Sequence, residues 1–296
     1  MNDIAFFCQR VGFRTEVTAV FTDAMRALAA IGEERTLHAA VCAYLENPNM
    51  KAADAAAPLA AVAERLGLSP YTLNALFIMK VYLLGKDAYI ARYSEEIFWD
   101  TAADLVCKTD ECIASDDAVG TFDLSWFHLL MRGTIVALGR LQYHTVPFRM
   151  ERYEGHGLTL SKGDPVINIH IPSSGKLTEE MCHDSYRRAY AHFKPQFSGE
   201  VLPFVCHSWL LYKRNEEFFP AGSNIARFAT DFEILDSYPD DSHDVWRVFG
   251  KRYTDYTCLP RSTRLQSALA DFLQAGNSLG HGYGFFAHNG KELLRS

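Results

Sequence analysis

The 296-residue sequence contains no uninterrupted apolar run of the roughly 18 residues that a membrane-spanning helix needs. It has no long block of lysines and arginines, and its formal net charge of −7 disfavours a broad nucleic-acid-binding surface. Its seven cysteines include no C-x-x-C pair, and its eleven histidines show no H-E-x-x-H spacing. The sequence therefore predicts a protein with no membrane span, no nucleic-acid partner and no metal site.

The amino-terminal residues, MNDIAFFCQRVGF, lack the basic start and the small-residue cleavage site of a secretory signal peptide. Several cysteines lie within apolar runs, where a free thiol packs as a small hydrophobic group, and reduced thiols are usual in the cytosol. The hydrophobic fraction of 48% is that of a globular protein with a substantial core. We expect a cytoplasmic protein.

Apolar residues recur at the helical period throughout the first part of the chain. The clearest start signal is Ser69, which can cap free backbone N–H groups, followed by Pro70, which the first turn of a helix tolerates. Leu73 and Phe77 then lie one helical turn apart. This helical periodicity predicts an all-α domain over residues 1–120.

The helices joined near Ser69 have the spacing of a helix-turn-helix, which reads DNA with basic side chains on its second helix. Between Pro70 and Leu84 the single cation is Lys80. An ordinary helical hairpin is the favoured interpretation, and a DNA-associated regulator is the weaker alternative.

Strand-like and helical segments alternate in the second part of the chain. The predicted strands span 138–144, 166–171, 203–211, 231–235 and 281–287. The predicted helices span 123–139, 178–193, 222–230 and 262–276. The alternation predicts an α/β domain with crossover connections over residues 121–296.

The most chemically suggestive segment is PVINIHIPSSGKLT, residues 165–178. Its strand stops at Pro172, and Thr178 can cap the next helix. Between them lies a turn of four residues, Ser173, Ser174, Gly175 and Lys176. A turn of this kind at a helix start directs backbone N–H groups at an anion. An ordinary strand-to-helix loop is the alternative, because Glu179 and Glu180 oppose an anion.

Six segments follow one another along the chain: LGRLQYH, VINIHIPSSGKLT, CHDSYRRAYAHF, CHSWLL, SNIARF and LQSALADFLQAGNSLGHGYGFF. In this order the sequence resembles a family of bacterial acyltransferase-domain proteins, which join a helical amino-terminal domain to a carboxyl-terminal domain similar to the GNAT acyltransferase superfamily. The likeness runs over most of the chain and is densest from Leu138 to Phe286. It implies an acyl-coenzyme-A-dependent acyltransferase that acts on an amine or hydroxyl of a small molecule.

In GNAT enzymes two central parallel strands splay apart, admit the pantetheine arm of acyl-coenzyme A, and place its pyrophosphate on the loop after the first strand. The resemblance implies a GNAT-like mixed-sheet α/β domain in which strands 166–171 and 203–211 are this pair. It implies a coenzyme-binding loop of Ser173, Ser174, Gly175 and Lys176. PSSGKL departs from the usual Arg/Gln-x-x-Gly-x-Gly/Ala loop, so the alternative is a non-catalytic GNAT-like module for another small ligand or a protein.

Three side chains are candidate catalytic groups. His170 could take a proton from the acyl acceptor, and a histidine held by a local hydrogen bond is the alternative. Tyr283 is a candidate general acid within 280–284, whose glycines permit close backbone approach to a ligand or form a bend. Cys206 is a candidate nucleophile that cannot pair with its neighbour His207 on a strand, and a buried inert thiol is the alternative.

Overall fold

The computed structural model describes residues 2–240 and 245–294. The chain divides into two compact units, Met1–Val136 and Ala137–Ser296. The first unit is helical and the second is built on a mixed β-sheet, which confirms the predicted fold class. The domain boundary expected after residue 120 stays a prediction.

Helices make up the described part of the first unit. They are α1 (Asn2–Val11), α2 (Thr15–Ala30), α3 (Glu34–Glu46), α4 (Ala52–Ala56), α5 (Pro58–Leu66), α6 (Pro70–Arg92), α7 (Glu95–Ala102), α8 (Asp104–Asp116) and α9 (Leu124–Met131). The predicted start of α6 is confirmed, because the Tyr71 N–H donates a hydrogen bond to the Ser69 hydroxyl and Pro70 is the first helical residue. Phe77 of α6 is fully buried in the core of this unit.

The described part of the second unit contains β-strands and four α-helices. The strands are β1 (Val136–Leu138), β2 (Leu141–Pro147), β3 (Arg152–Gly155), β4 (Leu158–Ser161), β5 (Pro165–His170), β6 (Leu202–Ser208), β7 (Glu233–Pro239), β8 (Gly280–His288) and β9 (Leu293–Leu294). The helices are α10 (Glu179–Phe193), α11 (Asn224–Ala229), α12 (Val245–Phe249) and α13 (Arg264–Gln274). The sheet has the order β1-β2-β5-β6-β8-β7, with β9 beside β8, and β3 and β4 form a separate hairpin.

The helix predicted over 123–139 is wrong beyond its first half. Helix α9 ends at Met131, and Val136–Leu138 forms strand β1 instead. Gly133 ends the helix with a φ of +66°, a conformation that costs glycine little. The apolar residues after this glycine fitted the helical period, but the β-branched residues among them favour a strand.

Further details differ from the expected elements, and the strand predicted over 231–235 is β7, Glu233–Pro239. The strand predicted over 203–211 ends at Ser208, whose hydroxyl accepts a hydrogen bond from the Leu210 N–H and begins a single 3-10 turn, Trp209–Leu211. The β3–β4 hairpin was not predicted, because each of its strands has only 4 residues. Such short strands carry little periodic signal.

The two faces of the sheet are covered by different elements. On one face the buried Ser185 of α10 donates a hydrogen bond to the Leu138 carbonyl (2.5 Å) and accepts one from the Leu141 N–H (3.1 Å). On the other face the hairpin packs against the sheet in a hydrophobic cluster that includes Tyr153 and Val166. The alternation of β5 thus divides its side chains between two covered faces.

Glycines at alternate positions of β8 allow other backbone segments to pack directly against the strand. A Cβ atom at Gly282 would lie 1.9 Å from the carbonyl oxygen of Leu211, and one at Gly280 would lie 2.2 Å from that of Tyr238. One at Gly284 would lie 2.6 Å from a methyl carbon of Leu211. The close approach that the glycines permit is therefore made by the chain's own 3-10 turn and β7.

We expect Gly282→Ala to lower the free energy of unfolding by about 2 kcal/mol or more, because the added methyl group overlaps backbone that cannot move independently. Urea unfolding measures the change. Gly199→Ala is the matched control, since its Cβ would meet its nearest neighbour at 3.6 Å, an ordinary contact. Equal stability of the two variants would contradict the close packing.

Candidate functional site

The two parallel strands at the centre of the sheet are joined over a short distance only. The ladder between β5 and β6 pairs Ile167 with Phe204 and Asn168 with Val205, whereas β5 continues to His170. On their outer sides both strands remain paired to their ends, β5 with β2 and β6 with β8. The carboxyl ends of β5 and β6 are therefore held by their outer neighbours rather than by each other, and we call the space between them the opening.

The loop expected to bind the coenzyme follows β5 directly. Its four residues are exposed, namely Ser173, Ser174, Gly175 and Lys176. Gly175 has a φ of +62° and Thr178 accepts a hydrogen bond from the Met181 N–H, so the turn and the helix cap lie where the sequence predicted them. The backbone of this loop is presented to solvent at the start of α10.

Arg140 binds this loop through hydrogen bonds to two of its carbonyl oxygens. Its guanidinium donates hydrogen bonds from Nε to the carbonyl oxygen of Lys176 (3.0 Å) and from Nη2 to that of Gly175 (3.4 Å). The side chain is only 8% exposed, which is rare for an arginine. Sequence reasoning missed Arg140, because its partners lie 36 and 35 residues away and the surrounding segment indicated only a strand.

The carboxylate of Glu179, next to the loop, forms an ion pair. Arg227 of α11 donates a hydrogen bond to it at 2.9 Å, which forms an ion pair. Both side chains are well exposed, so the pair contributes little to stability, but it offsets one of the two negative charges that oppose an anion. Glu180 is exposed on the same first turn.

His170 lies half-buried at the end of β5 and is engaged by its neighbours. Its Nε2 is 2.9 Å from Nδ1 of His144 and 3.0 Å from Nδ2 of Asn168. The His144 ring stacks on it with centroids 4.8 Å apart, and burial lowers the pKa of His144. Both interpretations of His170 stay open, because a residue held locally also stands beside the opening.

A second polar group surrounds His207 near the end of β6. Nε2 of this exposed histidine is 2.8 Å from the Tyr238 hydroxyl oxygen, and its ring stacks on that of His281 with centroids 4.9 Å apart. Nδ1 of His281 is in turn 3.1 Å from a carboxylate oxygen of Asp240. Burial, followed by the charge of Arg149, lowers the pKa of His207. Sequence reasoning set His207 aside because its neighbour Cys206 points to the opposite face.

Cys206 and Tyr283 lie away from open surface. Cys206 is 1% exposed, and burial raises the pKa of its thiol well above the ordinary value, so the reactive thiolate is suppressed. Tyr283 is 2% exposed within the hydrophobic cluster under the hairpin, with the Arg149 guanidinium 5.2 Å from its ring centroid. Burial raises the pKa of its phenol. Their predicted catalytic roles gain no support from these surroundings.

Within residues 2–240 and 245–294, no group of three or more histidine, cysteine, aspartate or glutamate side chains could hold a metal ion. None of the helices in that part of the chain combines the length and apolarity needed to cross a membrane.

Comparison with known proteins identifies the family. The model of the GNAT-like C-terminal domain matches residues 135–286, just over half of the chain. The protein therefore belongs to the family of proteins with a GNAT-like C-terminal domain. No curated protein matches the sequence significantly.

Several solved structures are similar in fold. An acyltransferase in complex with decanoyl-CoA is 26% identical over 71% of this chain, with a TM-score of 0.59, and this chain spans 63% of that protein's length. A mutant acyltransferase in complex with octanoyl-CoA is 20% identical over 96% of this chain and 87% of its own, with a TM-score of 0.71. An acyltransferase in complex with decanoyl-CoA and teicoplanin is 21% identical over 94% of this chain and 85% of its own, with a TM-score of 0.69.

We expect Arg140→Gln to loosen the loop at 173–176. The substitution removes hydrogen bonds from a charged donor, which contribute about 1.5–3 kcal/mol each. Backbone amides of the loop should exchange hydrogen at least about tenfold faster, as measured by mass spectrometry. Arg152→Gln is the control, because Arg152 is exposed and pairs only with Glu154 among the interactions resolved in the hairpin. Unchanged exchange in Arg140→Gln would mean that other contacts shape the loop.

Proposed function

We propose that this protein transfers an acyl group from acyl-coenzyme A to an amine or hydroxyl of a small molecule. The observation that carries the proposal is the opening between β5 and β6, in a domain of the GNAT-like family. The octanoyl-CoA and decanoyl-CoA complexes of similar structures support the choice of co-substrate.

The opening suits the thin, amide-containing pantetheine arm. A strand end without a neighbour offers backbone N–H and C=O groups, which an extended ligand can bind as an added strand would. These groups belong to the last residues of β5 and β6, where ligands also bind in open sheets with parallel strands. The thioester would then lie near His170 and His207.

The pyrophosphate would bind at the loop of residues 173–176. Backbone N–H groups at the start of α10 and the helix dipole favour an anion there, and Lys176 adds a positive charge. Arg140 orients the loop from within the domain. The pairing of Glu179 with Arg227 reduces the repulsion that the sequence alone suggested.

The reaction needs no covalent enzyme intermediate. The acceptor's nitrogen or oxygen attacks the thioester carbon, a histidine beside the opening takes the proton of the attacking group, and the carbon–sulfur bond breaks. Coenzyme A leaves as its thiolate, which takes the proton from the protonated histidine, directly or through solvent, and becomes the thiol. His170 is the proton acceptor that the sequence predicts, and the buried Cys206 takes no part.

A non-catalytic module is the second candidate function. The feature that favours it is the sequence PSSGKL, which lacks the spaced glycines and the leading arginine or glutamine of the usual coenzyme loop. In this case the loop would hold another small ligand or a protein.

Saturating octanoyl-CoA or decanoyl-CoA should raise the stability of the protein. At a ligand concentration of about 100 times Kd the expected gain is about 2.7 kcal/mol, read as a thermal shift. Ser174→Glu should weaken binding at least tenfold, because it adds a negative charge where the pyrophosphate would lie. Ser161→Glu, at an exposed position of β4, is the charge-matched control.

The two candidate functions give different outcomes in that experiment. Absence of a shift with every chain length would overturn acyl-coenzyme A binding. If the protein binds acyl-coenzyme A but releases no free coenzyme A thiol with 2-aminoethanol or teicoplanin as acceptor probes, the result would favour the non-catalytic module.

A further inference from the structure

Two histidines occupy equivalent positions on either side of the opening. Asn168 of β5 pairs with Val205 of β6, and the same register places His170 level with His207. Two residues along a strand return to the same face, so both imidazoles lie on the hairpin-covered face of the sheet. Sequence reasoning considered only His170 as a base for the acyl acceptor, and it rejected His207 as a base for Cys206.

We infer that His207 is a catalytic proton acceptor of the transfer reaction and that Tyr238 is its positioning residue. The inference rests on the proposed function and adds a residue to its site. Three features carry it: the orientation of the ring, its charge environment, and its accessibility compared with that of His170.

Tyr238 contacts one of the two ring nitrogens of His207. Its hydroxyl oxygen lies 2.8 Å from Nε2, and with the proton of the neutral ring on Nε2 this oxygen accepts the hydrogen bond. The lone pair then resides on Nδ1. Among residues 2–240 and 245–294, Nδ1 of His207 meets no hydrogen-bond partner. This nitrogen is therefore the one that can receive a proton from an acyl acceptor.

Charged groups around His207 come from several elements. Arg149, in the segment between β2 and β3, and His281 of β8 lower its pKa, in addition to the larger effect of burial. Asp236 of β7 and Asp240 just after β7 act in the opposite direction. The net lowering keeps the imidazole neutral near pH 7, which is the form that a base requires.

His207 is also the more accessible of the two histidines. It is exposed, whereas His170 is half-buried and its Nε2 lies within hydrogen-bond distance of both His144 and Asn168. As the acceptor attacks the thioester carbon, its N–H or O–H proton passes to Nδ1 of His207. The carbon–sulfur bond then breaks, and the coenzyme A thiolate takes the proton from the protonated His207, directly or through solvent, which leaves the imidazole neutral again.

The first test compares histidine variants in the full-length protein. Thiol release from decanoyl-CoA is measured with 2-aminoethanol as the acceptor probe, and decanoyl-CoA binding is measured separately by calorimetry. We expect His207→Gln to lower kcat/KM at least 100-fold with little change in the Kd of decanoyl-CoA. His192→Gln is the control and should keep wild-type activity. His192 lies on α10, and burial likewise lowers its pKa.

The second test uses Tyr238→Phe, which keeps the ring and removes the hydrogen bond. Because the Tyr238 oxygen accepts from Nε2–H, it also stabilises the protonated imidazole. Its loss should move the acidic limb of the kcat/KM profile to lower pH by about half a unit or more. Tyr190→Phe is the matched control and should not move the limb, since the hydroxyl of Tyr190, on α10, donates to the Glu200 carbonyl oxygen.

The outcomes separate this inference from the proposed function. If the His207→Gln variant keeps the turnover of the wild-type protein, the role of His207 is overturned and the acyltransferase function stands. Loss of activity in His207→Gln together with an unmoved limb in Tyr238→Phe overturns the positioning role of Tyr238. A wild-type protein that neither binds nor turns over decanoyl-CoA or octanoyl-CoA overturns both proposals.

Discussion

The short ladder between β5 and β6 is the constraint on which the site depends. Buried strands normally satisfy their backbone groups on both sides, and leaving them unsatisfied costs free energy. Here the outer ladders, β5 with β2 and β6 with β8, extend to the last residues of both strands and hold them in place. Helix α10, through Ser185, and the hairpin cover the two faces. The domain can therefore keep an opening in its centre without losing its core.

The chemistry of the opening follows from strand alternation. On β5 and β6 the apolar residues turn towards α10 or the hairpin, while His170 and His207 lie near the strand ends on the same face, on either side of the opening. Each is held by a different neighbour, His144 for the first and Tyr238 for the second. One face thus carries polar groups where an acyl acceptor would arrive, and the buried Cys206 lies on the other.

Much of the local structure could be predicted, and the errors have identifiable causes. The strict alternation of VINIHI and the cap at Thr178 are local signals, and both correspond to β5 and α10. The helix over 123–139 failed because one apolar run crosses Gly133, and periodicity alone does not separate a helix from a buried strand. The glycines of β8 were recognised as permitting close approach, but the approaching group, Leu211, lies far away in sequence.

By itself the sequence determined the faces of β5 and the turn that leads into α10, because these depend on short-range spacing, and its ordered segments carried the resemblance to a GNAT-like domain. Only the tertiary structure decided that Arg140 supports the loop, that Arg227 pairs with Glu179 and that Tyr238 orients His207. These partners are 36, 48 and 31 residues apart. Contacts over such distances arise from the packing of whole elements, and no local pattern of residues records them.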